Sequence, residues 1–120
     1  MEFEELPEFQ KDLKQLLKKY RSLKDDLETL KKFLSIATHP QPPLTVRVPG
    51  LGFEVPIIVK VKKFSCRMMK TKGSQTGFRI TYAYFEEKRL IKFIEIYFKA
   101  DQANEDRERI VSNYLGRPVP

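Results

Sequence analysis

The chain has a single cysteine, Cys66, so it can form neither an internal disulfide nor a zinc site built from several cysteines. It has a single histidine, His39, set before a proline in a proline-rich stretch, which reads as a solvated linker position rather than a catalytic one. No apolar run approaches the roughly 18 residues that a membrane-spanning helix needs. The opening residues Met1-Glu2-Phe3-Glu4-Glu5 are acidic and no apolar signal segment follows, which predicts a cytoplasmic chain without a membrane partner. Acidic residues are also missing from one long stretch. Between Ile57 and Thr76 the sequence carries Lys60, Lys62, Lys63, Arg67, Lys70 and Lys72 and no Asp or Glu.

What is present fits one domain: 120 residues, 41% of them hydrophobic, with a formal charge of +7. That charge favours an anionic partner such as nucleic acid, an acidic protein segment or an anionic membrane. Phe9, Leu13, Leu16, Tyr20, Leu23, Leu27, Leu30 and Leu34 recur at spacings of 4, 3, 4, 3, 4, 3 and 4. This is a helical apolar stripe. It can be one long heptad helix, able to dimerise. It can equally be two antiparallel helices, about 7–20 and 23–37, parted at Ser22, where Ser22 and Asp25 resemble a capping box. Residues 38–56 form a connector whose prolines and glycines exclude helix.

From Ile57 the period becomes two. Ile57, Val59 and Val61 share one parity and Phe64, Cys66 and Met68 the other, so a bulge is expected near Lys62. Cys66 reads as a small core residue. Phe78, Ile80, Tyr82 and Tyr84 should face the core while Arg79, Thr81 and Ala83 face away; Phe85–Lys88 makes a tight connection. In the next strand Leu90, Ile94, Ile96 and Phe98 should face in, with Ile91, Phe93, Glu95, Tyr97 and Lys99 opposite. Asp101 reads as the N-cap of a charged final helix at about 103–115. The expected fold is α+β: an antiparallel meander covered on one face by helices, followed by a C-terminal helix.

The alternation gathers Lys63, Arg67, Arg79 and Lys99 on one side of adjacent strands, with Ser65, Thr81, Glu95 and Tyr97. Neighbouring like charges repel, and a polyanion offsets that repulsion. Lys60, Lys62, Lys70 and Lys72 add cations for phosphate, and Gly73 and Gly77 would let backbone N–H groups approach it. The plainer account is an exposed edge on which lysines discourage strand pairing.

The strand Gly77-Phe78-Arg79-Ile80-Thr81-Tyr82, entered from a Lys/Gly/Ser loop, resembles the Gly-aromatic-Arg strand of the RelE/ParE superfamily of toxins from toxin–antitoxin pairs. Ile94-Glu95-Ile96-Tyr97-Phe98-Lys99 is similar to that superfamily's penultimate strand, and Pro7-Glu8-Phe9 through Tyr20 to its first helix. The resemblance spans most of the chain except the connector. It implies a helical hairpin packed on the sheet and a short edge strand near Met1–Leu6.

RelE-type members cut mRNA in the ribosomal A site without metal or other cofactor, the 2′-hydroxyl attacking the adjacent phosphate. That chemistry needs a base, cations around the phosphorane and a proton donor. The resemblance puts Arg79 on the phosphate, with Lys63, Arg67 and Lys99 at matching basic positions. Ser65 stands where a second lysine is frequent, and Ala100 where an arginine would donate the proton; Tyr97 or Lys72 could replace it. Glu95 is a candidate base or an ion-pair partner. The ParE branch shares the fold and targets DNA gyrase. A basic module that only binds RNA is the other alternative. The implied partners are a cognate antitoxin, the ribosome and mRNA.

Overall fold

The computed structural model describes residues 1–64 and 77–115 and, of Lys63, the backbone alone. Ser65, Cys66, Arg67, Met68, Lys70, Lys72 and Gly73 lie outside the described residues. Among the described residues the chain runs β1 (Glu2–Glu5), α1 (Pro7–Leu17), α2 (Leu23–Ile36), β2 (Thr45–Arg47), β3 (Ile57–Phe64), β4 (Phe78–Phe85), β5 (Leu90–Phe98) and α3 (Arg107–Tyr114). The class is α+β. One mixed sheet has the strand order β1-β5-β4-β3-β2, with β1 parallel to β5 and the other pairs antiparallel. No helix among the described residues is long and apolar enough to cross a membrane.

The heptad stripe belongs to two helices. Phe9 on α1 and Leu23, Leu27, Leu30 and Leu34 on α2 are buried in one core with Val59, Val61, Phe64, Phe78, Ile80 and Tyr82. The stripe is thereby consumed within the chain, which removes the dimer-seam reading. The break falls at Ser22, but the capping box does not form. Ser22 is itself in helical geometry (φ −69°, ψ −11°), and its hydroxyl donates to the Asp26 carboxylate at 3.0 Å rather than pairing with Asp25.

The connector contributes more than a link. Thr45–Arg47 pairs antiparallel with Val59–Val61 as the last strand of the sheet. Beyond it, Gly50 (φ 71°) and Gly52 (φ 87°) take left-handed backbone that other residues rarely adopt. Those turns let Val48 and Leu51 reach a second apolar cluster with Ile58, Ala83, Phe85, Leu90, Ile94, Ile110 and Tyr114.

That second cluster corrects the expected layering. Both faces of the sheet are covered: the hairpin of α1 and α2 on one, α3 and the 48–53 turn on the other. The cause is a slip in β5. The register passes from Thr81↔Glu95 to Tyr82↔Phe93, which leaves Ile94 unpaired. The bulge reverses the side-chain alternation. Ile91 and Phe93 therefore join the hairpin core with Ile96, while Leu90 and Ile94 join the second cluster, opposite to the expected parity for these four. The bulge expected near Lys62 is present as a register shift between Val61 and Phe64. α3 begins later than expected. Its N-cap is Asp106, which accepts from the Arg109 N–H at 3.1 Å, and Asp101 lies in a turn outside it.

Phe78 tests this packing. It is fully buried, with its ring 5.0 Å from Tyr20 and 5.2 Å from Phe98. Phe78→Ala should destabilise the fold by about 3–5 kcal/mol in urea unfolding. A shift within about 0.5 kcal/mol, the usual range for surface substitutions, would place the ring outside the core.

Candidate functional site beneath the C-terminal segment

The register brings together four of the expected residues, Arg79, Thr81, Glu95 and Tyr97, and adds Lys60. Lys60 on β3, Thr81 on β4 and Glu95 on β5 form one row across three strands. Arg79 sits opposite Tyr97 in the adjacent row. These five side chains share the face opposite the helical hairpin, as the alternation of β4 requires.

The face is not open to solvent. Arg79 is 8% exposed, Tyr97 5%, Glu95 2% and Thr81 0%. The expectation of an outward, solvated Arg79 is corrected here: the side chain is on the face away from the hairpin but buried, and the segment between β5 and α3 crosses over the neighbouring Lys60–Thr81–Glu95 row. Glu95 fastens that segment. One of its oxygens accepts from Gln102 Nε2 at 2.7 Å and the other from the Asp106 N–H at 2.9 Å. Lys60 Nζ meets the Glu105 carboxylate at 2.7 Å, and Arg107 stands 3.9 Å from the same carboxylate. Lys99 Nζ donates to the Ala103 carbonyl.

Burial sets the electrostatics of the row. It pushes the Glu95 carboxyl above the usual range, against the opposing effect of the Asp106 and Gln102 hydrogen bonds. It lowers the Arg79 guanidinium from its ordinary value, with Tyr97 acting the other way. Burial raises Tyr97 as well, and the charges of Glu105 and Glu95 add to that. At Glu105 burial alone would raise the carboxyl, but the hydrogen bond and charge of Lys60 outweigh it and hold the group below its ordinary range. Thr81 Oγ1 and Tyr97 OH are buried without a hydrogen-bond partner, two polar atoms beside Arg79 and Glu95. Arg79 donates to the Phe78 carbonyl at 3.2 Å.

The remaining cations lie elsewhere or outside the described residues. Lys62 is exposed on β3 beside the register shift. The Lys63 side chain, Arg67, Lys70, Lys72 and Gly73 lie outside the described residues. His39 lies at the far end of β4. Its Nε2 is 3.1 Å from the Glu86 carboxylate and its ring stands edge-on to Tyr84, a surface tether consistent with the linker reading.

Sequence reading missed Glu105, Gln102 and Arg109. Their charged stretch resembled a solvated helix face. The available signal was Glu95, a lone carboxylate between Ile94 and Ile96. An acid in such a strand needs partners from another segment. No protein-family model matches the chain, and no curated protein matches it.

The Lys60–Glu105 pair predicts an acid signature. The folded Glu105 value lies below its ordinary 4.5, so below about pH 4.5 the unfolded chain binds more protons. The stability from this pair is present at neutral pH and is lost as pH falls through the lowered value. Glu95 has the opposite sign: its raised folded value means that acidification relieves strain. The difference between wild type and Glu105→Gln isolates the first effect. Urea midpoints should fall more steeply in wild type than in the variant between neutral pH and about pH 3. Parallel curves would show that the pair contributes nothing.

Proposed function

We propose that the chain is the toxin of a toxin–antitoxin pair of the RelE/ParE type, acting as a ribosome-dependent mRNA endonuclease. The observation that carries the reading is the convergence of Lys60, Arg79, Thr81, Glu95 and Tyr97 from three neighbouring strands on one face. The arrangement of the elements supports it too: a helical hairpin on one side of the meander, an N-terminal edge strand parallel to β5, and a C-terminal helix on the other side.

In this reading the 2′-hydroxyl of one nucleotide attacks the adjacent phosphate, and the 5′-oxygen leaves with a proton. Arg79 and Lys60 stabilise the charge that builds on the phosphorane, with Lys99 at the end of the same strand row. The phosphate competes with Glu105 for Lys60, so the 101–106 segment must lift before RNA enters. Tyr97 OH, already without a partner, is the proton donor nearest to Arg79 in register. Glu95 becomes an available base once its bonds to Gln102 and Asp106 break. An acidic antitoxin segment would neutralise the protein by covering the same cations.

A second reading rests on a specific observation. Both Glu95 oxygens are engaged in holding the 101–106 segment, and Arg79 and Tyr97 are buried. A buried row of this kind serves equally as the structural support of a non-catalytic toxin directed at DNA gyrase, or of a module that only binds RNA.

Two substitutions and two readouts separate them. Programmed ribosomes should show A-site mRNA cleavage by primer extension, reduced about 100-fold or more by Arg79→Gln and increased by Glu105→Gln. Intact mRNA together with loss of gyrase supercoiling would favour the gyrase-directed reading. Intact mRNA with gyrase unaffected would leave the RNA-binding one.

A further inference from the structure

On the sheet face Lys60 is paired with Glu105; a second set of cations has no ion pair with a described residue. Between Asp12 and Asp25 the sequence carries Lys14, Lys18, Lys19, Arg21 and Lys24 and no acid. All five are exposed where α1 turns into α2, and none forms an ion pair with a described residue. Two neighbouring acids are engaged elsewhere, Asp12 with Arg109 at 2.7 Å and Asp26 with the Ser22 hydroxyl at 3.0 Å.

Helix electrostatics explain only part of this cluster. Lys14 in the last turn of α1 and Lys18 at its C-cap complement the negative end of that helix. Arg21 and Lys24 lie at the positive end of α2, where a cation is unfavourable. Asp25 and Asp26 in the same first turn complement that end and offset part of the cost, and an external anion would offset more of it.

We infer that the hairpin tip is a docking surface for the phosphate backbone of a nucleic-acid double helix, separate from the sheet face. Three observations select this occupant. Among the described residues the exposed large apolar side chains are Ile36, Leu44, Val55 and Leu115, none of them at the tip, so the described surface there offers no anchor for a lipid bilayer or for the apolar face of a partner helix. Tyr20, the aromatic residue within the cluster, has its ring on Phe78 and Phe98, at 5.0 and 6.1 Å. It is not available to stack on unpaired bases, which single-strand binding uses. Finally, Phe78 and Phe98 directly precede Arg79 and Lys99, so the tip flanks the sheet end from which the proposed RNA face begins. A folded RNA can contact the tip while a strand runs to that face. The docking itself requires neither cleavage nor the sheet-face residues.

The test is equilibrium binding without ribosomes, by fluorescence anisotropy over a salt series. The probes are an RNA hairpin with a stem of about 16 base pairs, a DNA duplex of the same sequence, a single-stranded RNA of equal length, and phosphatidylserine vesicles. The variant K18Q/K19Q/R21Q/K24Q should bind the RNA hairpin at least tenfold more weakly than wild type. Its salt slope should be shallower by about 3–4, near 0.9 per lost phosphate contact. K18R/K19R/K24R should bind like wild type, and both variants should melt like it. Tighter binding of the RNA hairpin than of the DNA duplex identifies RNA as the natural source of the backbone; equal binding of the two still supports the surface. An unchanged salt slope in the glutamine variant, tighter binding of single strands or vesicles than of the hairpin, or no binding by wild type would overturn the inference. Loss of the nuclease reading through intact mRNA on ribosomes would leave hairpin binding by the tip unaffected, so the two failures are separable.

Discussion

The slip at Ile94 is the constraint from which the rest follows. β1 ends opposite Phe93, so from Ile94 onward β5 has no neighbour on that side. Arg109 takes up this opening. Its guanidinium donates to the Ile94 carbonyl at 3.0 Å and to Asp12 at 2.7 Å, which ties α3 to α1 past the end of the short edge strand. Burial by itself would lower the arginine, but the bond and charge of Asp12, with Glu95 and Asp106 nearby, raise it above its ordinary value. The cation is therefore firmly held in its charged form. With α3 fixed there, the segment leading to it has no route except across the polar row.

That route decides the charge arrangement. A row of cations and polar groups from three strands would be an exposed basic surface if α3 were absent. Under the segment, Lys60 is matched by Glu105, and Glu95 serves as an anchor rather than a free carboxylate. Two hydroxyls, on Thr81 and Tyr97, are left without partners in that closed layer. Unsatisfied buried hydroxyls are costly, so the layer carries a local penalty that the Lys60–Glu105 and Glu95 contacts offset. Lys14, Lys18, Lys19, Arg21 and Lys24 meanwhile stay exposed at the hairpin tip.

Much of the framework is legible in the sequence because it rests on short-range periodicity. The alternation of Phe78, Ile80, Tyr82 and Tyr84 orients β4 correctly, and the parity change near Lys62 marks a real register shift. The break at Ser22 is visible as one of two options, and burial of the stripe against the sheet selects it. The stretch Leu90-Ile91-Lys92-Phe93-Ile94 resists the same treatment, since apolar residues occupy both parities and alternation cannot say where the strand slips. The capping box fails for a similar reason: Ser22 and Asp25 have the right spacing, but the turn gives Ser22 helical dihedrals that aim its hydroxyl at Asp26.

By itself, then, the sequence determined the kinds of elements, most of their inward faces and the concentration of positive charge on β3 and the hairpin. Each of these depends on residues a few positions apart, whose geometry the backbone dictates locally. Only the tertiary structure decided which charges remain exposed. Lys60 and Glu105 are 45 residues apart, and Asp12 and Arg109 are 97 apart. No periodicity couples positions so distant. They meet because two apolar clusters, one on each face of the sheet, must both be removed from water, and closing the second draws the acidic segment over the basic row.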